Sequence, residues 1–197
     1  TWARSHFPGD PMTISAASLE GGYRKEAQTT LLEYLNKHQA PPGNPEVPEE
    51  RKRNMQLGQI YFQLGEIARL EKQQVEARSS YLTSLRYNKR QLPVLNRLAW
   101  LLATSSDPAV RDGPGALGYA TFMMQAPGIA ENPGLLGTLA AAQAAAGNFP
   151  AAIETTTRII GILESRQANP EAEIHRRRLT LFQQGNALTI TPGQPAP

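Results

Sequence analysis

The chain has 197 residues, with 20 Lys and Arg residues against 17 Asp and Glu residues, a formal net charge of +3 and no cysteine. Its length suits one domain or a short solenoid, since a chain of this size buries roughly 70% of the surface that it exposes when unfolded. The charges are interspersed and give no global field that attracts DNA or an anionic membrane, so we expect no nucleic-acid partner. The absence of cysteine excludes disulfides, thiolate metal sites and cysteine catalysis.

The longest strongly apolar run, residues 98–103, is far shorter than the roughly 18 to 20 residues that a bilayer-spanning helix needs. We therefore expect no transmembrane segment in this chain, while association with a membrane complex stays open. The first residue is Thr1 and not Met, which indicates that residues upstream have been removed or left out. Both the bacterial cytoplasm and an exported, periplasmic location thus remain open.

The two ends of the chain differ in composition from its middle. Residues 1–22 contain Pro8, Gly9 and Pro11, which predicts an irregular N-terminal arm. Residues 186–197 form a Pro-rich segment with little apolar content, and we expect a flexible tail. Between them, residues 23–185 are predicted to form one domain of helical repeats.

Apolar residues within this middle region recur at three- and four-residue steps, which is typical of α-helices, and no stretch alternates at period two. Proline, glycine and capping residues divide the pattern into separate helices. The sequence therefore predicts an all-α fold, with helices over about residues 23–38, 48–72, 75–87, 95–104, 113–124, 133–146, 151–165 and 170–184.

Three short polar residues are predicted to cap helices. Asp107 and Asp112 precede a short turn and a helix, respectively, and their carboxylates can accept hydrogen bonds from free N–H groups there. Asn169 is followed by Pro170 and Glu171, an order of cap, proline and acid that favours a helix start.

Small residues recur at a fixed spacing along the predicted helices. The pairs Leu57 and Gly58, Leu98 and Ala99, and Leu139 and Ala140 lie 41 and again 41 residues apart, and each pair is followed by another small residue, at Ala77, Ala116 and Ala152. Such a period indicates repeated pairs of helices that touch where side chains are small. Units of this kind stack because none can bury its apolar face alone.

The last of these units resembles the tetratricopeptide repeat, a helix-turn-helix of about 34 residues. The resemblance rests on Leu139, Ala140, Gly147, Phe149, Ala152 and Ile159. Two earlier units match with insertions, and residues 23–44 resemble part of another repeat. The resemblance implies about three degenerate repeats after a partial one, in a right-handed α-solenoid of antiparallel helix pairs with a C-terminal end helix. It also implies a protein-binding scaffold.

The resemblance assigns one set of residues to the concave groove of such an array, and this set is neutral and mostly apolar. A carboxylate-gripping groove is therefore not expected, and the predicted occupant is an apolar segment or a helix of a protein partner. Trp100 sits in the centre of the mapped strip, where it is either a binding residue or a core residue. The predicted partner-binding residues are Gln59, Phe62, Asn96, Trp100, Ala141 and Ala145.

Catalytic and metal-binding patterns are missing from the sequence. The histidines His6, His38 and His175 are far apart in sequence, and we expect no metal site. We expect no enzyme activity, no catalytic residue and no cofactor. The basic run from His175 to Arg178 is interpreted as the solvated outer face of an end helix.

Two functions remain open at this point. The first is a non-catalytic scaffold or accessory subunit of a multiprotein complex, which binds its partner through the neutral groove. The alternative is a regulatory or stabilising terminal domain of a larger protein, whether or not that protein is attached to a membrane.

Overall fold

The computed structural model describes Thr13 and residues 22–190, and the predicted N-terminal arm lies outside this part apart from Thr13 and Gly22. These residues form helices and no strand, which confirms the all-α prediction for the described part of the chain. The helices, in chain order, are α1 (Arg24–His38), α2 (Pro48–Leu70), α3 (Gln74–Tyr87), α4 (Leu92–Thr104), α5 (Gly113–Met123), α6 (Pro133–Ala145), α7 (Phe149–Ser165) and α8 (Asn169–Gln183).

Contacts divide the chain into two compact units, whereas the sequence predicted one helical domain over residues 23–185. Unit 1 is Thr1–Lys89 and unit 2 is Arg90–Pro197. The division falls in the short polar link between α3 and α4, so that unit 1 contains α1, α2 and α3 and unit 2 contains the other five helices.

In unit 1, α2 and α3 form a hairpin whose turn contains Lys72 at a φ of 63°. The helices meet at two glycines. A Cβ atom on Gly65 would overlap the ring of Tyr81, and Ser84 donates a hydrogen bond of 2.6 Å to the carbonyl oxygen of Gly58. The predicted small residue at position 58 therefore lies at a contact between helices, and Gly65 makes room for a buried tyrosine.

Helix α1 packs on α2, and hydrogen bonds to α2 hold the loop that connects the two helices. The apolar faces of both helices share a core that contains Leu31, Leu57 and Ile60. Asn54, which is buried on α2, pairs with the backbone of Gly43: its amide nitrogen donates to the carbonyl oxygen at 2.9 Å and its side-chain oxygen accepts from the N–H at 3.0 Å. This pair fixes the loop between α1 and α2.

In unit 2, each helix packs against the next one along the chain, and α4 also packs against α6. The short connection between α6 and α7 reverses the chain, with Gly147 at a φ of 82°. The small residues that the repeat predicted are buried on these helices: Ala99, Ala116, Ala140 and Ala152. Their burial agrees with the predicted positions of small residues inside the helical array.

Two of the predicted capping residues make cap hydrogen bonds, and the third does not. Asp112 accepts a hydrogen bond from the N–H of Gly115 at 2.9 Å, and Asp107 accepts one from Ala109 at 2.9 Å. The prediction for Asn169 is wrong, because this residue is already helical and Ala168 takes the cap position without a side-chain bond. A tight turn through Gln167, at a φ of 59°, sets this register.

The chain after α8 returns to the end of α4. Leu188 is only 2% exposed, and the N–H of Ile190 donates a hydrogen bond of 2.7 Å to the carbonyl oxygen of Thr104. A single parallel β-bridge joins Ser105 to Ile190. The composition of residues 186–197 predicted a flexible tail, yet its first part, residues 186–190, is packed on other residues of unit 2.

Arg111 also binds the segment after α8. Its guanidinium donates to the carbonyl oxygens of Ser105, at 3.1 Å, and Leu188, at 3.2 Å. The rest of the predicted tail, residues 191–197, lies outside the described residues.

Candidate partner-binding surfaces

The six predicted binding residues fall in both units. Gln59 and Phe62 belong to unit 1. Gln59 is exposed, whereas Phe62 is half-buried, with its ring centroid 6.1 Å from that of Tyr81 in the same unit. Phe62 therefore contributes to packing between α2 and α3. The other four predicted residues, Asn96, Trp100, Ala141 and Ala145, belong to unit 2.

Two of these residues, Asn96 and Trp100, lie four positions apart on one face of α4, which packs against α6. The side-chain oxygen of Asn96 accepts a hydrogen bond of 2.6 Å from the hydroxyl of Thr138 on α6. Trp100 lies one turn further along α4 and is half-buried. Part of the indole is therefore open to solvent. Trp100 is neither a fully exposed binding residue nor a fully buried core residue.

Helix α8 completes this surface, which the sequence analysis did not predict. The guanidinium carbon of Arg178 lies 5.3 Å from the centroid of the Trp100 ring. A Cβ atom on Gly137 would lie 3.3 Å from Cε1 of His175 and 3.9 Å from Nη1 of Arg178, so a side chain there would require His175 to shift by a few tenths of an ångström. We define the Trp100 surface as the half-buried residues Asn96, Trp100, His175 and Arg178 together with the buried Gly137 and Thr138 that they contact.

The interpretation of the basic run as a solvated outer face is therefore wrong for two of its four residues. His175 and Arg178 are half-buried and three positions apart, so they share one face of α8. Arg176 points to the other side, where it forms ion pairs with Glu164 and Glu173. Arginine can bury its aliphatic stem against apolar groups. One face of the basic run, with His175 and Arg178, therefore packs against other helices.

The charge state of the Trp100 surface follows from burial. Burial and, to a smaller extent, the positive charge of Arg178 together lower the pKa of His175 to about 4. Burial also lowers the pKa of Arg178. At neutral pH the histidine is therefore uncharged, and the charge at this surface is the arginine's.

The two predicted alanines contribute mainly to packing. Ala141 is only 1% exposed and offers almost no area to a partner in this structure. Ala145 is half-buried, and its carbonyl oxygen lies so close to Gly113 that a Cβ atom there would overlap it. The absence of a side chain at Gly113 thus allows the start of α5 to pack against the backbone at the end of α6.

Each unit also has an open cleft that the sequence analysis missed. The cleft in unit 2 has a volume of about 340 Å³ and lies between the start of α4 and the end of α5, lined by Arg90, Leu92, Leu95, Phe122, Met123, Gln125, Ala126 and Pro127. The cleft in unit 1 has a volume of about 670 Å³ and is lined by Gln39, Ala40, Pro41, Pro42, Tyr61, Thr83, Arg86, Tyr87 and Lys89. Clefts of this size can accept ligands or partner side chains.

Within the described residues, no group of three or more His, Cys, Asp or Glu side chains is arranged to hold a metal ion. None of the helices described is both long enough and apolar enough to cross a membrane. Comparisons of the chain with models of protein families, with curated proteins and with solved structures found no match.

Proposed function

We propose that the chain is a non-catalytic scaffold, an accessory subunit of a protein complex that binds an apolar segment or helix of its partner at the Trp100 surface. The observation that carries this proposal is the half-buried Trp100 with Arg178 over its ring. Tryptophan and arginine are both enriched among the residues that dominate binding at protein interfaces. Here three helices hold the pair in place.

The proposal includes a right-handed solenoid of tetratricopeptide type. Its support is the 41-residue spacing of small residues together with their burial on consecutive helices of unit 2. The contact of α4 with α6 adds to this support, because corresponding helices of adjacent repeats touch in stacked arrays. Such arrays present side chains of these helices along a continuous binding face.

Affinity capture with three forms of the full chain tests the proposal. The wild type, Trp100→Ala and Phe122→Ala would be immobilised, and the retained proteins quantified by mass spectrometry. Phe122 is a suitable control because it is another partly exposed aromatic residue of unit 2, on the cleft and away from α8. We expect the same proteins on the wild type and on Phe122→Ala, and their loss from Trp100→Ala. Loss from Phe122→Ala alone would overturn the assignment.

A further inference from the structure

The cleft of unit 1 has features that the proposed scaffold function does not use. It opens at the end of α3, between this helix, α2 and the loop that follows α1. Two tyrosines form one side of it: the rings of Tyr61 and Tyr87 are stacked, with centroids 5.7 Å apart and planes at 10°. A stacked pair of this kind gives a flat aromatic wall.

Hydrogen bonds hold this wall in one position. The hydroxyl of Tyr87 donates to the carbonyl oxygen of Ala40 at 2.5 Å, and the amide of Gln39 donates to the hydroxyl oxygen of Tyr61 at 3.1 Å. Burial raises the pKa of Tyr61, as does its neighbour Tyr87, so the Tyr61 phenol stays neutral at physiological pH. The wall therefore does not repel an anion.

The loop after α1 also lines the cleft, through Pro41 and Pro42, whose rings fix the backbone φ angle. The bidentate pairing of Asn54 with Gly43 fastens the same loop one residue later. A ligand that enters the cleft consequently orders little of the protein, which reduces the entropic cost of binding.

Positive charge is concentrated at this cleft. Arg86 and Lys89 line it, and none of the other described residues that line it is acidic. Both side chains belong to exposed residues, and neither forms an ion pair or a side-chain hydrogen bond within the described part of the chain. The positive charges of Arg86 and Lys89, beside the aromatic wall, can therefore bind a negatively charged ligand.

We propose that this cleft binds an acidic segment of a protein partner, with carboxylates at Arg86 and Lys89 and the segment's backbone or apolar groups against Tyr61 and Tyr87. Charge complementarity selects an acidic ligand, because Arg86 and Lys89 are cationic and the other described residues of the lining are neutral. The volume of about 670 Å³ exceeds what a single small anion fills and suits several residues of an extended chain. This site does not depend on the Trp100 surface.

Fluorescence anisotropy with a labelled oligoglutamate peptide tests the proposal on the full chain. The cleft variant is Arg86→Gln with Lys89→Gln, and the control of equal charge is Lys25→Gln with Lys52→Gln, which alters two exposed lysines outside the cleft. We expect wild type and control to bind the peptide with similar affinity and the cleft variant to bind about tenfold more weakly, as for the loss of two exposed ion pairs. Tyrosine ring signals should shift in nuclear magnetic resonance spectra on binding.

Four outcomes would overturn the proposal. They are absence of peptide binding to the wild type, equal weakening in the cleft and control variants, binding of an oligoglutamine peptide as tight as that of oligoglutamate, and displacement of the peptide by inorganic phosphate at equal concentration. The last result would assign the cleft to small anions. Because Trp100→Ala leaves the cleft unchanged, it should bind the peptide normally, and the test is thus independent of the proposed scaffold function.

Discussion

Arg178 on α8 lies over Trp100 on α4, with 5.3 Å between the guanidinium carbon and the ring centroid. A cation over an indole face contributes about 0.5 to 2 kcal/mol, depending on burial. Arg178→Ala should therefore lower the free energy of unfolding by about 1 kcal/mol and leave the helical content unchanged. The adjacent Arg177 is exposed, and Arg177→Ala should change stability by less than about 0.5 kcal/mol.

Fluorescence gives a second measure of this contact. The chain has two tryptophans, so a Trp2→Phe background leaves Trp100 as the only one. Removal of Arg178 should uncover the indole and move its emission to longer wavelength. Unchanged emission in Arg178→Ala would show that the arginine does not cover the ring in solution.

His175 should make the protein less stable in mild acid. Its pKa of about 4 in the folded state lies below the ordinary value of 6.5, because of burial and then the charge of Arg178. The unfolded chain therefore takes up a proton that the folded chain refuses, and this stabilising contribution is lost as the pH falls from about 6.5 towards 4. Between about pH 7 and pH 4.5, wild type should lose roughly 1 to 2 kcal/mol more than His175→Gln. Parallel pH profiles of urea unfolding would contradict this.

Four glycines divide into two classes with opposite expected effects. Gly118 and Gly161 are exposed inside helices, and a Cβ atom at either position would meet nothing. Alanine at each should raise stability by about 0.5 to 1 kcal/mol, since glycine loses more backbone entropy. Gly65→Ala and Gly113→Ala should instead destabilise, because the added carbon overlaps Tyr81 or the backbone of α6. Thermal melting of the four variants measures these changes in stability. Stability changes of the same sign in all four variants would refute the division into two classes.

The segment after α8 should contribute to the stability of unit 2. Leu188→Ala removes a buried side chain, and we expect a loss of about 2 kcal/mol. Thr189 is exposed beside it, so that Thr189→Ala should cost less than about 0.5 kcal/mol. Chemical unfolding measures both. If Leu188→Ala matched wild type, the segment would be mobile in solution, as the composition of the tail first indicated.

The helices and the burial of the recurring small residues were predictable from sequence because both depend on local signals. Three- and four-residue periodicity placed the helices, whereas the tight approaches at Gly65 and Gly113 were not predicted. Asp112 could be assigned as a cap because its side chain acts on the next turn only. These features need no knowledge of distant contacts.

The inner side of α8 and the packed segment after it were not predictable in this way. His175 and Arg178 read as surface residues, since their burial depends on Trp100 and Gly137, which lie far away in sequence. Leu188 stands among polar residues and prolines, and only its position beside α4 and Arg111 explains its burial. The two clefts were not predicted either, because each is lined by residues from separate helices and loops.

The most direct test of the scaffold proposal is the affinity of a captured partner for Trp100→Ala, measured by calorimetry beside wild type and Leu32→Ala. Leu32 is a 46%-exposed residue of α1, which makes it a control for the loss of an exposed apolar side chain elsewhere. The account predicts that Trp100→Ala retains its helical circular dichroism and binds more weakly by about 2 kcal/mol or more, while Leu32→Ala binds like wild type. Normal binding by Trp100→Ala, or a melted fold whose remaining folded fraction binds normally, would contradict it.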